Sequence, residues 1–217
     1  FLAGTTVKRA SLHNADQIAK LDIREGDWVF VEKGGEIIPK ITQVDLSHPR
    51  GGEFPHRYIS NCPVCSCPLV RVEGEAQHYC TNRDGCSPQI IGKLEHFVSR
   101  KAMNLEGWGV ETLTAFYQMG HVTSVSDLYA LRLTEMVGFE YWVEDELTGE
   151  RRRRSLQQKT IDNLVEALAS SRNVPFERVL FAIGIRHVGE TVAKRLAKHF
   201  KSIDKLILAT TEELLNV

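Results

Sequence analysis

Asn61-Cys-Pro-Val-Cys65, His78-Tyr-Cys80 and Gly85-Cys86 carry the four cysteines that divide this chain. Fourteen residues separate Cys65 from Cys80, and five separate Cys80 from Cys86. A Cys-x2-Cys pair followed by a second pair at this distance is the spacing of a tetrahedral zinc site, with four thiolates converging on one ion at about 2.3 Å. Pro63 restricts the first loop, and Gly85 permits a sharp turn before Cys86. Four thiolates close the coordination sphere, so the expected metal, ligated by Cys62, Cys65, Cys80 and Cys86, is structural and not catalytic. The competing readings are unrelated reduced thiols or disulfides, and the absence of a secretion-like leader argues against the latter. Cys67 is a rival ligand two residues from Cys65, but an adjacent extended residue points away. His78 and His96 are weaker rivals that read more simply as surface or packing histidines. Arg71, Arg83 and Lys93 flank the motif and either offset the thiolate charge or are solvated.

The 217 residues are 42% hydrophobic and 25% charged, an ordinary soluble composition. No stretch approaches the ~20 apolar residues of a membrane span. The net charge is −1, so any nucleic-acid binding must come from placed charges and backbone amides, not from an overall basic excess. Phe1 is not a methionine and Val217 interrupts a helical pattern, which predicts a piece of a longer protein.

Upstream of the cysteines the pattern is β. Asp27-Trp-Val-Phe-Val-Glu32 alternates, Lys33-Gly-Gly-Glu36 is a turn, and Ile37–Val44 is a return strand with Pro39 at an edge or bulge. Ser11–Lys20 reads as a short helix or a loop. About three strands are visible, too few to close a barrel. Ile37 and Ile38 are neighbours and so face opposite sides. Either one is exposed beside Lys33 and Lys40, where it can press on a ligand, or the strand is buried on both faces. Residues 47–61 are a polar linker.

Downstream the pattern is helical. Ile90-Ile91, Leu94, Phe97 and Val98 have helical spacing, Asn104-Leu-Glu-Gly-Trp-Gly-Val110 is a turn, and a second helix runs through Leu113, Phe116 and Tyr117. Helix, apolar-x-Gly-x-Gly turn and helix make a helix-hairpin-helix. Its glycines let backbone approach a phosphate, and the free N–H groups of the second helix donate to it. The pattern returns at Phe176–Ile183, Gly184-Ile-Arg-His-Val-Gly189 and Glu190–Phe200, with Leu105 and Gly109 matching Ile185 and Gly189 at an offset of 80. Residues 90–138 and 172–217 thus read as two copies of one unit, Ser124-Val125 matching Ser202-Ile203. A repeat used only for protein contacts is the plainer reading. Met136-Val-Gly138 begins another hairpin, interrupted by Phe139–Glu150 and by Arg151–Arg154. This acidic-then-basic segment predicts a β-hairpin or loop that neutralises itself, or arginines that reach phosphates. Ser155–Ser171 is an amphipathic helix with Ile161, Leu164, Val165 and Leu168 on one stripe.

Together, Phe1–Asn14, Asp22–Asp27, Gly35–Ile41, the cysteine spacing and the hairpins at Gly107–Gly109 and Gly184–Gly189 resemble the bacterial NAD-dependent DNA ligases over essentially the whole chain. The resemblance implies a multidomain α+β protein. Its parts are a partial OB-fold β-barrel at 1–60 lacking its first strand, a small four-cysteine zinc finger at 61–88, and an all-α helix-hairpin-helix domain at 89–217, truncated before its last hairpin. It implies an enzyme of replication and repair that seals 5′-phosphate/3′-hydroxyl nicks through enzyme-adenylate and DNA-adenylate, with NAD and Mg2+ bound mainly outside this segment. The Lys-x-Asp-Gly adenylation motif is absent from these residues, so this segment is expected to bind DNA and not to adenylate itself. By the same resemblance Lys33, Gly35, Ile37 and Ile38 face DNA from the barrel, and Gly107, Gly109, Gly184 and Gly189 contact it from the hairpins. A Gly138 contact departs from the family pattern. Nicked duplex DNA as partner, a monomer, no membrane, and a bacterial, nucleoid-associated cytoplasmic location complete the expectation. The alternatives are a non-catalytic DNA-binding segment of a repair or recombination protein and a helical interaction scaffold.

Overall fold

Asn14 opens the first helix by accepting the Gln17 N–H on its side chain, and Asp22 closes it in the left-handed region, giving α1 (Ala15–Leu21). The computed structural model describes residues 6–33, 38–144 and 148–217. They form two compact units, 1–83 and 84–217.

In the first unit the alternating run becomes β1 (Val29–Glu32), which pairs antiparallel with β2 (Lys40–Val44). The register slips between Phe30 and Val31, a bulge. The anticipated third strand amounts to one parallel bridge, Ser11 to Lys40: Ser11 N–H donates to the Pro39 carbonyl (2.7 Å) and Ile41 N–H to the Ser11 carbonyl (3.0 Å). Pro39 stands just before β2, where its missing N–H costs no ladder bond. Among the described residues there is no closed barrel. The apolar core is small: Ile18, Ile23 and Val44, with Leu12, Leu21, Val29 and Ile41 against them.

A polar knot supports this core. The Asp27 carboxylate, 1% exposed, accepts the Arg24 N–H (2.8 Å), the Gly51 N–H (2.9 Å), and Nε and Nη2 of Arg50 (both 3.0 Å). Arg50, then the Gly51 amide, hold its pKa at about 2, below the ordinary 3.8. The turn at Gly51 is closed so tightly that a Cβ there would sit 2.2 Å from the Glu25 carbonyl oxygen. Because the folded pKa is depressed, the carboxylate's stabilisation is complete above pH ~4 and is lost as pH falls toward 2. Thermal melts of residues 1–83, followed by the Gly51 amide resonance, should therefore fall more steeply between pH 4 and 2 in the natural chain than in Asp27→Asn. Parallel slopes would remove Asp27 from the account.

The same unit continues into β3 (Leu69–Arg71) and β4 (His78–Cys80), an antiparallel pair with Leu69 opposite Cys80. Neither three-residue strand is visible in the sequence pattern.

The second unit is helical: α2 (Ser87–Val98), α3 (Val110–Gln118), α4 (Val125–Ala130), a 3-10 turn (Leu133–Met136), α5 (Gln158–Ser171), α6 (Phe176–Ala182), α7 (Glu190–Phe200), α8 (Ile203–Ile207) and α9 (Thr211–Leu215). Its core gathers Leu94, Phe97, Trp108, Leu113, Phe116 and Leu164, and Trp108 Nε1–H donates to the Leu164 carbonyl (3.3 Å). One stripe shifts from expectation. Val165 on α5 points outward while Ile161, Leu164 and Leu168 are buried. On α7 the buried line runs through Ala193 and Phe200, and Val192 is exposed. A 3.6-residue period locates a stripe to about one position only.

The segment interrupting the hairpin that begins at Met136 is a β-hairpin, β5 (Glu140–Glu144) with β6 (Arg151–Ser155). Its base is closed by Gly138 N–H to the Leu156 carbonyl (2.7 Å) and Leu156 N–H to the Phe139 carbonyl (2.8 Å). No helix among the described residues is long and apolar enough to cross a membrane.

Candidate metal centre and nucleic-acid interface

The tight turn after Cys62 is drawn by its own backbone: Cys62 N–H donates to the Cys67 carbonyl (2.8 Å) and Ser66 N–H to the Cys62 carbonyl (2.9 Å), with Ser66 in the left-handed region. β4 presents Cys80 beside this turn, and Cys86 is the N-cap residue of α2, at the helix end that favours negative charge. The Sγ atoms of Cys62, Cys65, Cys80 and Cys86 all lie within 4.8 Å of one another, and Cys65 to Cys80 is 3.4 Å. A tetrahedron with arms of about 2.3 Å has edges of roughly 3.8 Å, so the four sulfurs surround a volume that fits zinc. None of the five cysteines is in a disulfide.

Backbone donors lower the pKa of two of these thiols. The amides of Cys65 and then Val64 lower the Cys62 pKa. Cys65 is pushed down to about 6, chiefly by the Cys67 amide and then by the neighbouring sulfurs. Cys67 moves the other way, raised first by its hydrogen bond to Cys65 and then by burial. It stands outside the four-sulfur group, as do both rival histidines. His78 tilts against Tyr58, and His96 Nε2 bonds the Phe181 carbonyl (2.8 Å). Of the flanking cations, Arg71 is engaged with Asp16 (2.7 and 2.5 Å) and Lys93 with Asp84 (3.1 Å).

The two hairpins have the same backbone. Asn104 (φ 53°) and Gly184 (φ 71°) are left-handed, as are Gly107 (φ 85°) and His187 (φ 69°), each pair offset by 80 residues. Trp108 N–H donates to the Leu105 carbonyl (3.3 Å), and Val188 N–H to the Ile185 carbonyl (2.9 Å). Gly109 and Gly189 are the N-caps of α3 and α7, both extended, at φ −76°, ψ 169° and φ −78°, ψ 179°.

The four candidate glycines thus separate into two kinds. Gly107 and Gly184 have positive φ, and a Cβ on either would approach Leu164 (3.2 Å) or His96 (3.4 Å). The fold itself explains them. Gly109 and Gly189 have ordinary φ values, and a Cβ on either would meet nothing within 4 Å. Their bareness leaves the first-turn N–H groups of each helix open to an approaching anion. Gly138 is left-handed at the base of the β-hairpin.

The arginine run is self-neutralised. Arg151 pairs with Glu144 (2.9 Å), Arg152 with Glu150 (3.2 Å), Arg153 with Glu140, and Arg154 with Glu111 (3.9 Å).

On the barrel side, Ile38 is 63% exposed and Lys33 is half-buried. Gly35 and Ile37 lie outside the described residues. Trp28, stacked on His48 (4.6 Å, 19°), and Phe30 are also exposed, and neither was singled out from the sequence. The alternation placed them on one face with Val29 and Val31 on the other. Both faces are apolar, so the pattern alone did not say which is core.

Residues 1–53 match the NAD-dependent DNA ligase OB-fold domain, 61–87 the NAD-dependent DNA ligase C4 zinc finger domain, and 178–217 the helix-hairpin-helix motif. Similar proteins, each called DNA ligase, occur in Flavobacterium johnsoniae (55% identical over 217 residues), Christiangramia forsetii (53% over 216) and Azobacteroides pseudotrichonymphae (44% over 217). Each alignment covers 100% of this chain and 30% of the relative.

Proposed function

The chain belongs to the NAD-dependent DNA ligase family, spanning 30% of the length of the relatives it matches, and from that premise we propose that it grips nicked duplex DNA for the sealing reaction. The repeated hairpin backbone carries this reading. Two helix starts, each fronted by a bare glycine with open space before it, offer neutral donors to phosphate oxygens. A protein of net charge −1 needs such donors. Ile38, Trp28 and Phe30 supply a second, apolar contact from the barrel side, where exposed aromatic and aliphatic side chains meet sugar or base, and Lys33 adds a cation. Cys62, Cys65, Cys80 and Cys86 hold a zinc ion, which fixes the finger's shape and leaves no open coordination position. In the whole protein the nick is sealed through enzyme-adenylate and DNA-adenylate using NAD and Mg2+. This chain contributes binding and orientation to those steps.

The test is binding of the 217-residue chain to labelled nicked duplex at several salt concentrations. Affinity should persist, with a shallower salt dependence than that of a lysine-rich binder of equal strength, because amide contacts release few counterions. No affinity at low salt would overturn the proposal. Labelled NAD should leave no covalent adenylate on this chain, and a labelled lysine would relocate the chemistry.

A further inference from the structure

The second unit holds a cleft of about 310 Å3 between the turn that leads into the first hairpin and the start of α7. Arg100 and Lys101 line it from the turn, Glu177 and Arg178 from α6, and Glu190 and Lys194 from α7. Four cations face two carboxylates, a local excess of +2 in a chain whose net charge is −1. One carboxylate is already engaged: Glu190 accepts from Lys194 Nζ (2.7 Å) and also feels Lys101.

Arg178 is built into the wall. Its Nε donates to the Ala102 carbonyl and its Nη2 to the Arg100 carbonyl, both at 2.6 Å. These neutral acceptors fix the guanidinium without cancelling its charge. The same bonds hold the turn that carries Arg100 and Lys101. Lys101 precedes the first left-handed residue, Asn104, by three positions, and Glu190 directly follows Gly189, so the cleft adjoins both hairpins.

We propose that this cleft binds a phosphodiester group of the duplex between the phosphates held by the two hairpins, with Arg100, Lys101 and Lys194 as its movable cations and Arg178 as its fixed one. The inference rests on the DNA-binding reading above. The hairpin amides then set the register on the backbone, and the cleft supplies the charge-dependent part of the affinity.

The experiment measures anisotropy of labelled nicked duplex against the full 217-residue chain as salt is varied. Arg100→Gln combined with Lys101→Gln should weaken binding about three- to tenfold and lower the slope of log K against log salt by about 1 to 2. Glu177→Gln should strengthen binding by roughly two- to threefold, a change of opposite sign that general unfolding cannot produce. The single variant Lys101→Gln, at an exposed side chain, repeats the test with least risk to folding. Unchanged affinity and slope in these variants, while Gly109→Val with Gly189→Val lowers affinity about a hundredfold, would overturn the cleft and leave the hairpin reading standing. A natural chain without affinity for the duplex would overturn both. In a parallel titration, inorganic phosphate that shifts the Lys101 and Lys194 resonances without any effect of the variants on duplex binding would mark a free-anion site and overturn the proposal.

Discussion

Replacing Cys80 with serine unfolds residues 61–87 and leaves α3 to α9 in place. The finger has almost nothing else to hold it. Its two strands are three residues each, Val64, Val70, Val72 and Tyr79 are exposed, and its buried apolar residues are the ligands Cys62 and Cys86 themselves. A segment this small has too little apolar area to offset its chain entropy. Structural zinc contributes about 10–16 kcal/mol of folding free energy in isolated finger peptides at neutral pH, far more than the contacts present here. In the metal-free variant the remaining sulfurs, drawn together within 4.8 Å, have no ion to share. Metal analysis should fall from one zinc per chain to none, and the amide protons of Val70 and Tyr79 should exchange freely. Chelation of the natural chain should do the same, whereas Cys67→Ser should keep its zinc. Protected amides in β3 and β4 after complete chelation would show that the finger stands without metal.

Valine at both Gly109 and Gly189 should lower affinity for nicked duplex about a hundredfold, roughly tenfold per hairpin, from the loss of charge-assisted bonds worth ~1.5–3 kcal/mol each. A Cβ at either site meets nothing within 4 Å, and both φ values suit any residue. The stability cost should therefore be limited to about 0.5–1 kcal/mol per site for a poorer N-cap. Valine at Gly107, by contrast, must adopt φ 85° beside Leu164, so melting temperature and affinity should fall together. Calorimetry beside anisotropy separates the two kinds of glycine. Full affinity in the Gly109/Gly189 double variant would show that the helix starts do not face phosphate.

Much of this arrangement is legible in the residues because its signals are local. Cysteine spacing, the Trp28–Glu32 alternation and the helical periods of α2, α5 and α7 each depend on neighbours within a few positions. What the sequence obscures depends on φ or on distant partners. The offset of 80 that matches Leu105 with Ile185 also pairs Asn104 with Gly184 and Gly107 with His187, but it does not reveal that all four are left-handed, because asparagine and histidine enter that region only where the surrounding backbone requires it. The Asp27 knot was invisible because its partners Arg50 and Gly51 lie 23 and 24 residues away, in a stretch that reads as linker. The pairing of Arg154 with Glu111 likewise crosses 43 positions of sequence, whereas the pairs of Arg151, Arg152 and Arg153 lie within the acidic-then-basic segment, whose pattern predicts them.

The closed base of the β5–β6 hairpin has a practical meaning for anyone rebuilding this molecule. Gly138 and Phe139 are tied to Leu156 across it by main-chain bonds, so the polypeptide enters and leaves the excursion at adjoining points. Such a doorway accepts cargo: a reporter peptide, a fluorophore-bearing loop or a short tight turn can be spliced there without asking the helices on either side to move apart. The segment that breaks the repeat is thereby a grafting port.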